Sequence, residues 1–167
     1  MSGTSDWLDD DEDRAWNAFF EMQVLFWPRM ARRLQQETGL SEPDFAILSA
    51  LVRAPDAQLR PFELSGVTQF EKSRLHHHLT RMVGRGLLTR ERCPDSSRGA
   101  MIALTPEGRT AITEAFPRRA AHIRQLLIEP LDAGRIDALT RISEALADHL
   151  RAEDVTLDDG RPAGAEG

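Results

Sequence analysis

The sequence has no tyrosine, a single cysteine and no apolar run near the ~20 residues needed to span a bilayer. With only Cys93, no intramolecular disulfide framework can form. The opening stretch, MSGTSDWLDDDED, is acidic and polar, whereas a secretory leader needs a basic start and an apolar stretch. A cytoplasmic chain without a membrane anchor is therefore expected. Catalytic signatures are missing as well. There is no nucleophile–base pattern, no phosphate loop and no Cys/His metal spacing, so neither an enzyme nor a cofactor or metal site is expected. One further absence is local: residues 72–90 contain no Asp or Glu, in a chain whose net charge is −6.

The 167 residues, 41% of them hydrophobic, suffice for one domain plus an added interaction element. Charge is segregated along them. Residues 60–98 hold eight basic side chains against four acidic ones, a local excess of +4 that leaves −10 for the remainder. Such a stretch is either a solvated basic face or a surface for phosphates, and the helical pattern beneath it separates the two readings.

Residues 1–12 read as an acidic, flexible start. From 13 to 40, Trp16, Phe19, Phe20, Gln23, Phe26, Met30 and Leu34 recur at steps of three and four, which predicts a helix closed by Gly39 and kinked or split at Pro28. Ser41 can cap a second helix, which Pro55-Asp56 stops. A short third helix covers 61–66. Thr68 and Glu71 have the spacing of a capping box for a fourth, which buries Leu75, Leu79 and Met82 and ends near Gly84 and Gly86. Strands at 87–92 and 100–105 form a hairpin with a polar, basic tip. Thr105-Pro106-Glu107 opens a fifth helix, bent at Pro117. Asp132 opens a sixth with the stripe Ile136, Leu139, Ile142, Leu146 and Leu150. Residues 152–167 read as a disordered acidic tail. The fold class is mainly α (α+β), a winged helix-turn-helix with a two-stranded wing.

In that geometry the fourth helix is offered to a major groove. With Leu75, Leu79 and Met82 inside, its outer face and flanks carry Lys72, Ser73, Arg74, His76, His77, Thr80 and Arg81. Arg reads guanine bidentately, and His or Ser bonds base edges or phosphates. The helix N-terminus is expected to add amide donors for phosphate. A merely solvated helix would mix Glu with Lys, so the pattern favours double-stranded DNA as partner.

The run "EKSRLHHHLTRM" followed by "RGLLTRE", a wing containing Arg98-Gly99, and "LTPEGR" opening the next helix resemble the DNA-binding core of MarR-family regulators. The resemblance covers roughly residues 13–151, and its specific part is 60–109. It implies a homodimer whose first, fifth and sixth helices intertwine. The organisation is then a dimerisation helix (13–40), a DNA-binding lobe (41–105) and C-terminal dimerisation helices (106–151) that include Ile136, Leu139, Ile142 and Leu146. It also implies a ligand-responsive repressor on a palindromic operator, with Arg98 as the wing arginine of the minor groove. Two residues before that arginine the family often has aspartate; here Ser96 stands there and the aspartate is Asp95. An effector pocket between the dimerisation helices and the lobe is implied too. Trp16, Phe20, Phe26, Trp27 and Arg29 are its candidates for a small aromatic or phenolic effector, with Arg32 or His122 as further polar groups.

Blander readings stand beside these. The aromatics of the first helix are equally core or dimer interface. Cys93 is a spectator thiol or a redox sensor beside Arg92. His76, His77 and His78 point about 100° apart and cannot share one metal. A winged-helix protein-interaction module that binds no DNA is the alternative function.

Overall fold

The structure is a computed structural model and describes residues 7–92 and 99–158. The acidic run near the N-terminus builds the first helix rather than preceding it. Asp9 accepts hydrogen bonds from the amides of Asp11 and Glu12, each at 2.9 Å, while Glu12 returns one from the Asp9 amide at 3.0 Å. This capping box places four acids at the positive end of the helix dipole. Helix α1 (Asp10–Thr38) thus starts three residues earlier than expected, and residues 10–12 are helical. It also runs unbroken through Pro28, against the expected split. Beside the proline, the Arg29 guanidinium donates to the Leu25 carbonyl at 2.7 Å, a helix-turn carbonyl next to the one that Pro28 deprives of its donor. Gly39, with φ +69°, closes the helix.

Helix α2 (Glu42–Arg53) opens on a reciprocal box between Ser41 and Asp44. Its face Ile47, Leu48 and Leu51 is fully buried and meets Leu64 of α3 (Pro61–Thr68) and Leu75, Leu79 and Met82 of α4 (Lys72–Gly84). Full burial contributes roughly 1.5–3 kcal/mol for each such side chain. The end of α4 is a Schellman turn. Gly86 at φ +74° donates to Val83 and Leu87 to Met82, and both Leu87 and Met82 are buried.

Three strands lie beside the helices: β1 (Gln58–Leu59), β2 (Leu88–Arg92) and β3 (Ala100–Leu104), antiparallel in the order β1-β3-β2. The two-residue β1, paired Gln58 to Ala103 and Leu59 to Ile102, adds to the expected hairpin. Two residues are too few to show a period of two, which is why no strand was foreseen there. Ile102 is fully buried and Leu104 packs on the core, as the alternation requires.

Helix α5 (Pro106–Ile123) is capped by Thr105, whose hydroxyl accepts from the Gly108 amide at 2.9 Å. Gly108 sits against the chain leaving α4: a Cβ there would lie 2.1 Å from the Leu87 carbonyl oxygen. The described residues form two compact units, divided between Ile123 and Arg124. The second begins with a π-helical stretch, Arg124–Ile128. It continues as α6 (Ala133–Asp158), opened by Asp132, which accepts from the Arg135 amide. The helix passes the expected boundary at 152 and reaches Asp158; residues 159–167 lie outside the described residues. No helix among the described residues is long and apolar enough to cross a membrane.

Gly108→Ala is expected to destabilise the fold by about 1–3 kcal/mol, because Cβ and a backbone carbonyl cannot share that space. Gly66, inside α3 with open space around its Cβ position, is the control. Gly66→Ala should be stabilising by roughly 0.5–1 kcal/mol through the better helix former. Urea unfolding of the two variants beside the parent measures both, and a neutral Gly108→Ala would contradict the close approach.

Candidate nucleic-acid interface

The turn between α3 and α4 is tighter than a capping box at Thr68 allows. Thr68 stays in α3, where its hydroxyl donates to the Leu64 carbonyl at 2.6 Å. Gln69 then takes the left-handed conformation, φ +57°, and the Ser65 hydroxyl holds the Phe70 carbonyl at 2.6 Å. The cap of α4 is Glu71, not Thr68. Its carboxylate accepts from the Ser73 amide at 3.1 Å, the Arg74 amide at 3.5 Å and the Ser73 hydroxyl. The hydroxyl bond, followed by the Arg74 amide, draws the Glu71 carboxyl below its ordinary pKa. The expectation of free N-terminal amides for phosphate is corrected accordingly: those of Ser73 and Arg74 are engaged by Glu71.

Beyond the cap, the two faces of α4 separate cleanly. Leu75, Leu79 and Met82 are buried, while Lys72, Ser73, Arg74, His76, His77, Thr80 and Arg81 are all exposed. The Arg74 guanidinium lies over the Phe70 ring, 5.1 Å from its centroid, so an aromatic of the turn restricts the arginine. His78 is half-buried against the same ring at 5.8 Å. Burial, and then the charge of Arg74, push its pKa below the ordinary value.

The pattern on α4 could not disclose what the wing strands bring. Arg90 of β2 donates to the Thr80 hydroxyl at 3.2 Å, tying the wing to the exposed helix face. Arg90 also lines a groove of about 420 Å3, together with the apolar Phe62, Leu75, Leu79 and Ile102 and the basic Arg60, Lys72 and His76. Cation on a strand and cation on a helix meet only through the sheet packing. Arg98, Ser96, Asp95 and Cys93 lie outside the described residues.

Arg85, the last basic residue before the Schellman turn, does not join this set. Its Nη1 donates to Asp44 Oδ2 at 2.6 Å and its Nη2 to the Gly39 carbonyl at 2.9 Å. On α5, Arg119 pairs with Glu42 and lies over the Phe45 ring, and His122 Nε2 lies 2.9 Å from Glu37 Oε1. Near Arg119 is a second groove, about 350 Å3, lined by Phe45, Ser49, Arg53 and Val67 among others.

Among the effector candidates, Trp16, Phe20, Trp27 and Arg29 are exposed and Phe26 is half-buried. Trp16 stacks on Phe20 with centroids 5.9 Å apart, and Phe26 meets Trp27 edge-on at 5.0 Å. Neither groove is lined by any of these five. In α6, Ile142 and Leu146 are exposed, and Ile136 and Leu139 are half-buried.

Residues 38–99 match the family model described as MarR family. The transcriptional regulator HosA of Escherichia coli O111:H- is 30% identical over 100 residues, which span 60% of this chain and 73% of that protein. AbsC, a MarR family transcriptional regulator from Streptomyces coelicolor, superposes with a TM-score of 0.79 at 31% identity over 87% of this chain and 98% of that one. The chain belongs to the MarR family. Sco3205, a MarR family regulator of the same organism solved in complex with DNA, gives 0.80 at 28% identity over 86% of this chain and 94% of that one. The chain is thus a MarR-family transcriptional regulator with a winged-helix fold.

His78 makes stability pH-dependent in a definite direction. Its folded-state pKa is lowered from 6.5, so below that pH the unfolded chain binds the proton more readily. Stability present above pH 6.5 is lost as the pH falls, by at most about 1.4 kcal/mol per pH unit. Urea midpoints at several pH values across this range should therefore drop more steeply for the parent than for His78→Gln. Parallel slopes would show that the imidazole is not desolvated.

Proposed function

We propose that this MarR-family regulator binds double-stranded DNA sequence-specifically as a homodimer, with α4 in the major groove. One observation carries the reading: the exposed face of α4 presents Lys72, Ser73, Arg74, His76, His77 and Arg81 with no carboxylate among residues 72–90. Guanidinium and imidazole donors with no acid on the same helix face suit base edges and phosphates; the capping Glu71 is turned to the Ser73 and Arg74 amides and the Ser73 hydroxyl. The DNA complex of Sco3205 supports the assignment by likeness. A protein-interaction module built on the same fold would need a strongly acidic partner surface to account for that exclusion.

The homodimer rests on apolar surface. Trp16, Phe19, Phe20 and Trp27 of α1 and Ile142, Leu146 and Leu150 of α6 are exposed, and large exposed apolar surface marks association. A two-fold dimer presents two copies of α4 to half-sites about 34 Å apart, which calls for a palindromic operator. Occupying a promoter would make the protein a repressor. An effector that favours another spacing of the two α4 helices would release it, by no more than the difference in its affinity for the two states. A small aromatic or phenolic anion is the proposed class. Trp16, Phe20, Phe26, Trp27 and Arg29 are one place for it. The groove at Phe45, Ser49 and Arg53 is better formed, since the Ser49 hydroxyl is buried there with no hydrogen-bond partner among the described residues.

The test is selection of a duplex from random sequence, followed by binding across a range of salt. Arg74→Ala should cost about 1–3 kcal/mol and relax the preference at one base position. Arg98→Ala should make the dependence of log affinity on log salt shallower by about one unit. Normal binding by both variants would place the DNA surface elsewhere. Removal of residues 132–167 should yield a monomer by sedimentation and abolish operator binding. A truncated chain that remains dimeric would refute the role given to α6.

A further inference from the structure

The basic segment 60–98 contains a part-exposed guanidinium bonded to a buried carboxylate. Arg85 caps the C-terminal end of α4, the helix proposed to read DNA, and its side chain is 39% exposed. On sequence it counts among the cations available to phosphate. Its fork is instead divided between two acceptors on two other elements, Asp44 Oδ2 at 2.6 Å and the Gly39 carbonyl at 2.9 Å. Gly39 is the left-handed residue that ends α1, and Asp44 stands in the first turn of α2. The Asp44 side chain is 2% exposed and takes its other hydrogen bond from the Ser41 amide at 3.0 Å. One planar group therefore joins the end of α1, the start of α2 and the end of α4.

We propose that Arg85 is a positioning residue of the DNA-reading helix. Through Asp44 and the Gly39 carbonyl it fixes the angle of α4 against the α1–α2 corner, and it makes no contact with DNA itself. Besides the single bond from Arg90 of β2 to the Thr80 hydroxyl on the outer face, the remaining hold on α4 among the described residues is mainly apolar: Leu75, Leu79 and Met82 packed in the core. Hydrophobic contact is non-directional and lets a helix roll or slide at small cost, whereas a two-acceptor fork does not. Lysine could satisfy Asp44 or the carbonyl but has no planar fork to bridge them. Reading base edges demands placement to within about 0.5 Å, while phosphate attraction tolerates much larger shifts. Loss of the fork should therefore reduce discrimination between DNA sequences more than affinity for DNA as such. The inference rests on the DNA-binding reading above.

The experiment uses the full chain and two probes: the duplex that the parent selects from random sequence, and an unselected random duplex. Arg85→Gln, Arg85→Lys and Asp44→Asn should each bind the selected duplex about ten-fold more weakly. Affinity for the random duplex, and the salt slope, should stay at the parent's values. The double variant Arg85→Gln/Asp44→Asn should be weaker than the worse single by much less than the sum of the two, because the Arg85–Asp44 bond is lost in both singles. A parallel fall on both probes with a salt slope shallower by about one would make Arg85 a phosphate contact and overturn the proposal. So would unchanged binding of the selected duplex. Equal losses on both probes, with a reduced active fraction in stoichiometric titration, would mean a merely structural role. Should Asp44→Asn fail to fold, the two variants at the part-exposed Arg85 decide the matter. A parent that enriches no sequence overturns the DNA-binding reading itself, and this proposal with it.

Discussion

Asp44 places a carboxylate where water scarcely reaches it, and a buried charge is tolerated only when paired and hydrogen-bonded. Its needs determine much of what surrounds it. Ser41 must begin α2 at that point for its amide to face Asp44, so α1 must end at Gly39, two residues before. Arg85 must arrive from α4, which requires that helix to stop one residue short of Arg85 and turn through Gly86. The Schellman turn then delivers Leu87 and Leu88 into the core, and the Leu87 carbonyl leaves no room for a side chain at residue 108. Three helix ends, the start of β2 and the start of α5 are thus linked through one ion pair. Removing either member would leave the other charge without its partner, the situation in which a buried pair matters most.

Electrostatics of a different kind govern the outer surface. The chain is acidic overall, yet the exposed side of α4 carries no acid. In the proposed complex, repulsion elsewhere and attraction at one face orient the encounter as well as strengthen it. The acids have structural uses where they occur. Four of those in α1, Asp10, Asp11, Glu12 and Asp13, lie at the positive end of its dipole, Glu71 caps α4, and Asp44 and Glu42 answer Arg85 and Arg119. The cap at Glu71 has a consequence for recognition. It occupies the Ser73 and Arg74 amides, which could otherwise hold a phosphate, and the Ser73 hydroxyl with them.

Local chemistry explains what the sequence disclosed. Ser41, Gly39, Gly86 and Thr105 with Pro106 and Glu107 announce helix ends because capping depends on residues within four positions of one another. The stripe Leu75, Leu79 and Met82 announces the buried face of α4, since a helix repeats every 3.6 residues. The family motifs sit on those same elements. Thr68 misled because two residue types met the spacing rule for a capping box. Which of them caps depends on where α3 ends, and Ser65 holding the Phe70 carbonyl settles that. Pro28 misled because its local effect is a broken bond, while the length of α1 carries the helix across it.

Composition, periodicity and caps by themselves determined that six helices and a hairpin follow in this order, and that one helix face is basic. They did so because each signal lies within a turn or two of backbone. Only the tertiary structure decided that the part-exposed Arg85 reaches back to the buried Asp44, 41 residues away, while Arg74 lies over Phe70 on the exposed face. It also decided that Arg90 reaches Thr80 and that Gln58 and Leu59 pair with a strand more than 40 residues later. These are meetings between segments distant in the chain. Two arginines with the same local sequence signal part company only when packing brings an acceptor to one of them.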